Sequence, residues 1–478
     1  MIAITDVDLR VAAVRTRLPF RYGIAEMTAA PHVAVEVRIR DGQGPEVSGW
    51  ASEHLPPKWF TKNPHTSFSD DLADMVEVVE RAAAFASGLY APDAFQLWRL
   101  IDAAQMRWAG VHGVPGLLAG LGTSLVERAM IDAVCRAQRI PFPVALRSGV
   151  LGFDPGTIHE ELEGVRWRAL FPDRPATSIA LRHTVALTDP LHGADVQDHP
   201  VDDLPVSLES VLLSHRVRYL KVKTVGDPVV DRDRLATIFG LCEKSSITPR
   251  LTIDGNESMR DGGSLTSWIG FLLRDPDIGG LLRESLIAVE QPLHRDVALG
   301  AELAVTLATL MEDGVAVIID ESDDDLHAVR RAMDLGYAGG TYKGCKGVFR
   351  GLANAALVAN RRRLGHRTLL TAEDLSTLPP LTVAQDLVVA ATMGLEHVER
   401  NGQHYFGRLA PISPDADGLA VSAHPDLYQL GSDGGAHLRI SDGMFAIGSI
   451  LDAPFGFAPE LNLTGLQELS IDSARAAI

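Results

Sequence analysis

The sequence has few cysteines, few aromatic residues and no long apolar run. Among its 478 residues there are 3 cysteines, far apart in the chain, and aromatic residues make up 6%. An odd number of widely separated cysteines argues against a disulfide framework and is typical of a reducing cytosol. No apolar run approaches the ~18 residues of a membrane span, and Asp6 and Asp8 interrupt the first apolar stretch, which argues against a secretory signal. We therefore expect a cytoplasmic protein with no membrane partner.

Basic residues are also scarce. The chain has 44 Lys and Arg residues against 62 Asp and Glu residues, for a net charge of −18. An acidic chain without a basic stripe argues against nucleic acid as a partner. The hydrophobic content of 46% is sufficient for a large core, and the length exceeds one ordinary domain, so we expect two domains.

What is present instead is a repeated pattern in which a short apolar run ends in a charged residue. Three such runs, which we interpret as buried strands, end in Asp254, Glu290 and Asp320. These acids follow one another at intervals of 36 and 30 residues, and a strand with its crossover helix and return needs about 30 residues or more. The spacing therefore predicts one carboxylate on each of three successive parallel strands.

Lysines flank this acidic group. Lys221 and Lys223 end the strand before Asp254, and they face the same way because strand side chains alternate with a period of two. Lys343 ends the short strand that follows Asp320. Parallel barrels place their chemistry at the carboxyl ends of the strands, so we expect all these side chains to line one cavity.

Three neighbouring carboxylates repel one another, and their pKa values rise unless a cation lies among them. Because the group consists of oxygen ligands without Cys or His, it favours Mg²⁺ over Zn²⁺. We predict one Mg²⁺ per subunit, with Mn²⁺ as the alternative ion, held by Asp254, Glu290 and Asp320. Three protein ligands leave open positions on the ion for a substrate.

Together these segments resemble the enolase superfamily. The matching motifs, in the order of the mandelate racemase/muconate lactonizing enzyme family, are KVK at 221–223, DGN at 254–256, EQP at 290–292, DES at 320–322 and YKGCK at 342–346. The lysine on strand 6 points to the muconate lactonizing enzyme-like subgroup. The resemblance implies an α/β protein built on a modified (β/α)₇β TIM barrel, with an N-terminal α+β capping domain that the C-terminal tail completes.

The resemblance also implies how the chain is divided. The expected regions are a capping domain at 1–148, a connector at 149–177, the barrel at 178–400 and a tail at 401–478 that packs back on the cap. Within the cap, loops at about 18–31 and 52–66 would select the substrate. The candidate side chains on these loops are Phe20, Trp59 and Phe60. Residues 188–206 are rich in Asp, His and Pro, and we interpret them as an insertion after the first barrel strand.

The expected function follows from the resemblance and from the positions of the lysines. In the family, a substrate carboxylate binds Mg²⁺, a lysine removes the proton on the adjacent carbon, and the ion stabilises the enediolate. Lys223 and Lys343, on strands 2 and 6, would address opposite faces of a small-molecule carboxylate, and Lys221 is the third candidate catalytic lysine. This arrangement predicts a racemase or epimerase. A lyase or cycloisomerase on the same scaffold is the alternative, and a barrel that only binds a carboxylate is the remote third.

Residues beside these motifs have less defined roles. Asn256, Glu321 and Glu373 are candidates for supporting the metal ligands or contacting the substrate. Asp323 and the two acids after it are interpreted as the solvated start of a helix. Lys346 is interpreted as a solvated lysine. For the whole chain we expect a homo-oligomer.

Overall fold

The computed structural model describes residues 1–197, 200, 202–432 and 434–478. The predicted insertion at 188–206 therefore lies partly outside the described residues. The strands are β1 (Ile2–Tyr22), β2 (Ala25–Asp41), β3 (Glu46–His54), β4 (Tyr90–Ala91), β5 (Ser178–Val185), β6 (Tyr219–Lys223), β7 (Arg250–Asp254), β8 (Leu286–Glu290), β9 (Val317–Ile319), β10 (Gly339–Tyr342), β11 (Leu369–Ala372), β12 (His397–Glu399), β13 (Tyr428–Leu430), β14 (Ala436–Leu438), β15 (Met444–Ala446) and β16 (Gln467–Glu468).

The helices of the described residues are α1 (Phe68–Ala86), α2 (Ala94–His112), α3 (Gly116–Gln138), α4 (Phe142–Ser148), α5 (Leu208–His215), α6 (Pro228–Lys244), α7 (Gly262–Arg274), α8 (Gly279–Ser285), α9 (Ala304–Glu312), α10 (Ala328–Leu335), α11 (Val348–Arg363), α12 (Leu381–Met393), α13 (Gly402–Phe406), α14 (Ala416–Ala423), α15 (Gly448–Leu451) and α16 (Ile471–Ala476). Short 3₁₀ turns occupy much of the stretch between α4 and β5. No helix in the described part of the chain is long and apolar enough to cross a membrane.

Eight parallel strands form a closed barrel in the middle of the chain. Strands β5 to β12 pair in sequence order, and β12 pairs back with β5, with Val398 beside Leu181. At least one helix lies between each strand and the next, so each strand and the helix after it form a βα unit. The predicted fold class, a modified TIM barrel with an N-terminal capping domain, is confirmed.

The register of the barrel strands places the predicted site residues at one level. Lys223 of β6 pairs with Asp254 of β7, and Asp254 pairs with Glu290 of β8. The apolar residues that precede them, such as Ile253 and Val289, are fully buried, as expected for parallel strands that are covered on both faces. The charged residues that end successive apolar runs therefore meet at the same rim of the barrel.

The N-terminal region forms an antiparallel sheet in which β1, β2 and β3 pair in that order, and α3 packs on β2 and β3. The prediction of a loop at 18–31 is wrong, because β1 and β2 form one long hairpin whose last pair is Tyr22 with Ala25. Phe20, Tyr22, Ala25 and Met27 are buried, and exposed residues such as Arg21 and Glu26 lie between them. This alternation is the pattern of a strand with one face in the core.

The C-terminal tail contacts both domains. β16 pairs with β1, and α16 lies against α1, so that the tail completes the cap. The tail also adds β15 to the barrel sheet, antiparallel to β5, with Met444 opposite Ala180. This addition was not predicted, because a strand of three residues is too short to show an alternating pattern.

Candidate active site

Six charged side chains meet at the carboxyl ends of the barrel strands. They are Lys221, Lys223, Asp254, Glu290, Asp320 and Lys343. None of the six residues is more than 6% exposed to solvent. The barrel therefore brings together all the residues that were predicted as catalytic or metal-binding, and it holds them away from bulk water.

Lys221 is surrounded by carboxylates. Its Nζ atom lies 2.8 Å from Glu290, 2.8 Å from Glu373, 3.1 Å from Glu399 and 3.1 Å from Asp254. Burial alone would lower the pKa of Lys221, but these four carboxylates outweigh it and hold the pKa well above its ordinary value. In this structure Lys221 is a fixed ammonium group that compensates the charge of its neighbours.

The other two lysines each pair with an acid of their own side of the barrel. Lys223 Nζ donates to Asp254 Oδ2 at 2.6 Å, and Lys343 Nζ donates to Asp320 Oδ2 at 2.7 Å. Burial would raise the pKa of Asp254, but Lys223 and Lys221 hold it below its ordinary value. Lys223 ends β6 and Lys343 follows β10, four strands further round the ring. Both lysines line the same cavity.

Glu290 is the acid that has the least compensation. Its Oε2 atom is buried without a hydrogen-bond partner, and burial, together with Asp254 and Glu373, raises its pKa well above the ordinary value. An unpartnered buried oxygen between two further carboxylates fits a hard divalent cation. In the described residues, however, no group of three or more His, Cys, Asp or Glu side chains is arranged to hold a metal ion. Lysine ammonium groups supply the positive charge beside these acids instead.

The three weaker candidates lie around this centre in different ways. Glu373 accepts hydrogen bonds from Arg182 and Lys221, so it supports Lys221. Asn256 acts through its backbone N–H, which donates to Asp254 Oδ1 at 2.9 Å. Glu321 is 2% exposed, its Oε2 has no hydrogen-bond partner, and burial raises its pKa.

Lys346 was interpreted as a solvated lysine, and this interpretation is wrong. The residue is 6% exposed, and its Nζ donates to Asp320 Oδ1 at 2.9 Å and to Thr341 Oγ1 at 2.9 Å. Residues 344–346 form a 3₁₀ turn, and positions three apart eclipse in such a turn. The spacing of three from Lys343 was therefore a usable signal.

Two further interpretations need correction or extension. Asp323 is buried and pairs with Arg350 at 2.5 Å, while α10 begins only at Ala328, so it is not a solvated helix start. Glu399, which was not predicted, accepts hydrogen bonds from Thr184, Lys221 and the backbone N–H of Asp374. In the sequence Glu399 is only one polar residue at a strand end. Its hydrogen-bond partners are distant in the chain and become neighbours only in the folded protein.

The cap covers the cavity above these groups. About 340 Å³ of space not filled by protein atoms lies between the three lysines and the residues above them. The cap supplies Phe20, Tyr22, Pro56 and Trp59, and the barrel supplies Leu375. Phe20 and Trp59, two of the predicted substrate-selecting residues, therefore line the cavity, which is apolar on its cap side.

Solved structures share this architecture. A mandelate racemase/muconate lactonizing protein from Herpetosiphon aurantiacus is 18% identical, with 96% of this chain and 98% of that chain covered and a TM-score of 0.61. A muconate lactonizing enzyme from M. smegmatis complexed with muconolactone is 16% identical, with 96% and 97% covered and a TM-score of 0.57. A dipeptide epimerase from Cytophaga hutchinsonii, complexed with Mg and the dipeptide D-Ala-L-Val, is 16% identical, with 98% and 99% covered and a TM-score of 0.56.

At these identities the likeness is one of fold. No protein-family model matches the chain, and no curated protein matches it.

Proposed function

We propose that this chain is a Mg²⁺-dependent enzyme of the enolase superfamily that removes the proton next to a substrate carboxylate and acts as a racemase or epimerase. The observation that carries the proposal is the pair Lys223 and Lys343. They end strands on opposite sides of the ring and line one cavity, with three carboxylates at the strand ends between them. The similar structures of an epimerase bound to Mg and of related proteins support the reaction type.

Asp254, Glu290 and Asp320 are the residues that would hold the ion. All three are carboxylates of adjacent strands, and the free oxygen of Glu290 gives the set an unsatisfied acceptor. When bound, Mg²⁺ would stabilise the second negative charge that develops on a substrate carboxylate after proton loss. Lysine ammonium groups now contact the same carboxylates, so ligand binding has to replace some of these ion pairs.

The lysines would then have separate tasks. Whichever of Lys223 and Lys343 acts as the base must do so as a neutral amine, turned away from the carboxylate to which its Nζ now donates. In each direction one lysine, as the neutral amine, removes the proton from one face of the substrate, and the other lysine, as the ammonium ion, donates a proton to the opposite face of the planar enediolate. Lys221, which contacts four carboxylates, keeps its charge and holds the acids in place.

A lyase or cycloisomerase is the second candidate. The observation that favours it is at the end of β12, where Glu399 bonds Lys221, Thr184 and Asn401 and is not free to hold a substrate ammonium group. The similar structure that contains muconolactone illustrates such a reaction on this fold. A barrel that binds a carboxylate without turnover remains the third reading.

Solvent deuterium exchange tests these readings together. The protein is incubated with Mg²⁺ in D₂O and a panel of single-enantiomer carboxylic acids, and exchange and product are followed by NMR. Exchange with inversion at the adjacent carbon supports the proposal, and exchange or loss of a group without inversion supports the second candidate. Binding of acids with no exchange and no product in any case would contradict both catalytic readings.

A further inference from the structure

The cap covers the upper side of the cavity. The six charged side chains beneath it are at most 6% exposed, and Tyr22, Pro56 and Trp59 of the cap line its upper side. Two of these three belong to the stretch between β3 and α1, residues 55–67, which we call the roof segment. The position of the roof segment therefore bounds the space that a carboxylate would occupy beside Lys223 and Lys343.

The roof segment is fastened to the barrel by one lysine. Lys62 Nζ lies 2.6 Å from Glu257 Oε2 and donates to the backbone carbonyl of Asn256 at 2.9 Å. The side chain of Glu257 is 1% exposed and that of Lys62 is 13% exposed. A charge pair this well buried is little weakened by salt, so it is a strong tie between cap and barrel.

Arg295 of the barrel completes the fastening. It donates to Glu257 Oε1 at 2.8 Å and to Oε2 at 2.9 Å, so that one guanidinium group binds both oxygens of the carboxylate. The same guanidinium group donates to the backbone carbonyls of Phe60 at 2.9 Å and Trp59 at 3.1 Å. Glu257 is therefore bound by both basic residues that join the roof segment to the barrel, Lys62 and Arg295.

Glu257 also lies in an unusual turn. Asn256 has φ of +43° and Glu257 has φ of +63°, a conformation that L residues with side chains keep only where the surrounding structure holds them. The turn directly follows Asp254, to which Asn256 donates through its backbone N–H. One short turn thus joins a site carboxylate to the acid that holds the roof segment.

The roof segment in turn contacts a site lysine. The ring centroid of Trp59 lies 4.4 Å from Lys343 Nζ, a distance at which an aromatic face attracts an ammonium group. We propose that Glu257 is a positioning residue: it binds Lys62 and Arg295, holds the roof segment closed and thereby keeps Trp59 on Lys343. The role of Lys343 in this inference rests on the proposed function, whereas the closure of the roof segment does not.

The test measures the opening of the roof segment directly, so it does not depend on enzyme activity. Acrylamide quenching of Trp59, taken as the difference from a Trp59→Phe background, and hydrogen exchange of residues 55–67 are measured in the whole protein. We expect Glu257→Gln and Lys62→Met each to speed hydrogen exchange and quenching by about tenfold or more, because each removes a hydrogen-bonded charge pair. Glu257→Asp keeps the charge and should restore much of the closed state.

The matched control is Asp71→Asn. Asp71 pairs with Lys58 of the same segment at 2.6 Å, but it lies in α1 and does not reach the barrel. It should leave the quenching of Trp59 within about twofold of the parent protein, since this pair joins the roof segment to α1 within the cap and leaves the contacts of Glu257 with Lys62 and Arg295 in place. Parent-like quenching in Glu257→Gln, or equal effects in Asp71→Asn, would overturn the inference.

A second readout separates this inference from the proposed function. With an acid that exchanges deuterium, Glu257→Gln should slow exchange of the enantiomer that Lys343 serves and spare the enantiomer that Lys223 serves. Equal slowing of both enantiomers would show a general structural role and contradict positioning of Lys343. If no acid exchanges even in the parent protein, the proposed function fails, while the quenching result still decides whether Glu257 holds the roof segment.

Discussion

Two layers of charge in the barrel mouth differ in how they are compensated. The inner layer consists of Arg182, Lys221, Glu373 and Glu399, and the outer layer consists of Lys223, Asp254, Asp320 and Lys343. In the inner layer Lys221 alone has four carboxylates within 3.1 Å. In the outer layer Lys223 donates to Asp254 and Lys343 donates to Asp320. Lys221 of the inner layer is held from several sides, whereas the outer lysines Lys223 and Lys343 each have one carboxylate partner.

This difference suggests that the inner layer stabilises the site and that the outer lysines take part in the reaction. Removing one partner from a multiply bonded buried cluster leaves several uncompensated charges, so the inner layer is suited to hold the strand ends in place. A lysine with one carboxylate partner exchanges that partner for a ligand at lower cost. The comparison therefore predicts that outer-layer changes act on turnover and inner-layer changes act on stability.

The largest expected effect is on turnover in the outer layer. Lys343→Ala and Lys223→Ala should each lower racemisation by about 10²–10⁴-fold, because each removes a general acid–base group. Each variant should still exchange deuterium into one enantiomer, and the two variants should retain opposite enantiomers. NMR with each pure enantiomer in D₂O checks this. Exchange of the same enantiomer in both variants would contradict a two-base site.

The next effect is on stability in the inner layer. Lys221→Met should lower the free energy of unfolding by about 3–5 kcal/mol, since it strips a buried cation from four carboxylates. The matched variant Lys223→Met should cost less, about 1.5–3 kcal/mol, because it leaves one acid without its partner. Urea unfolding at neutral pH measures both. A smaller loss for Lys221→Met than for Lys223→Met would reverse the comparison of the two layers.

A smaller effect concerns the acid between the layers. Glu290→Gln removes the charge of a predicted ligand and should weaken Mg²⁺ binding by more than about tenfold, since even groups that only orient ligands contribute that much. Glu321→Gln is the control, because Glu321 is also buried with an unpartnered oxygen but is not a predicted ligand. Isothermal calorimetry measures both affinities. If the Mg²⁺ affinity is unchanged in Glu290→Gln but falls in Glu321→Gln, Glu321 rather than Glu290 is the ligand.

The last effect, on the pH dependence of stability, comes from a buried acid outside both layers. Glu127 is bonded by the backbone N–H groups of Val348 and Phe349, and burial raises its pKa to about 8. An unfolded Glu titrates near about 4.3, so the folded state binds the proton more tightly and stability falls as pH rises through this window. Glu127→Gln should lose less stability than the parent protein between about pH 5 and pH 8, measured by urea unfolding. An identical pH dependence in both proteins would contradict the raised pKa.

The strand ends were predictable because their signals are local. An apolar run that ends in Asp254, Glu290 or Asp320 shows a buried strand and its exit in a few residues, and the interval to the next run shows the βα unit. The hairpin around Gly23 was missed because the resemblance implied a loop at 18–31, although buried and exposed residues alternate through it. The short strand β15 has no such pattern, and it pairs with the first residues of β5, 178–180, which lie before the pairing of β5 with β6 begins at Arg182.

The sequence by itself indicated successive parallel strands and the charged residues Lys223, Asp254, Glu290, Asp320 and Lys343 at their ends, and its resemblance to a family implied the barrel. The strands and their ends follow from apolar runs and spacing, which act along the chain. The tertiary structure alone decided which charges share partners: Lys221 with four acids, Lys346 with Asp320, and Glu257 with Lys62 and Arg295. Such pairs join residues as far apart in the chain as Lys62 and Glu257, and burial makes each unpaired charge costly. Their selection therefore depends on packing in three dimensions, which no local pattern in the chain records.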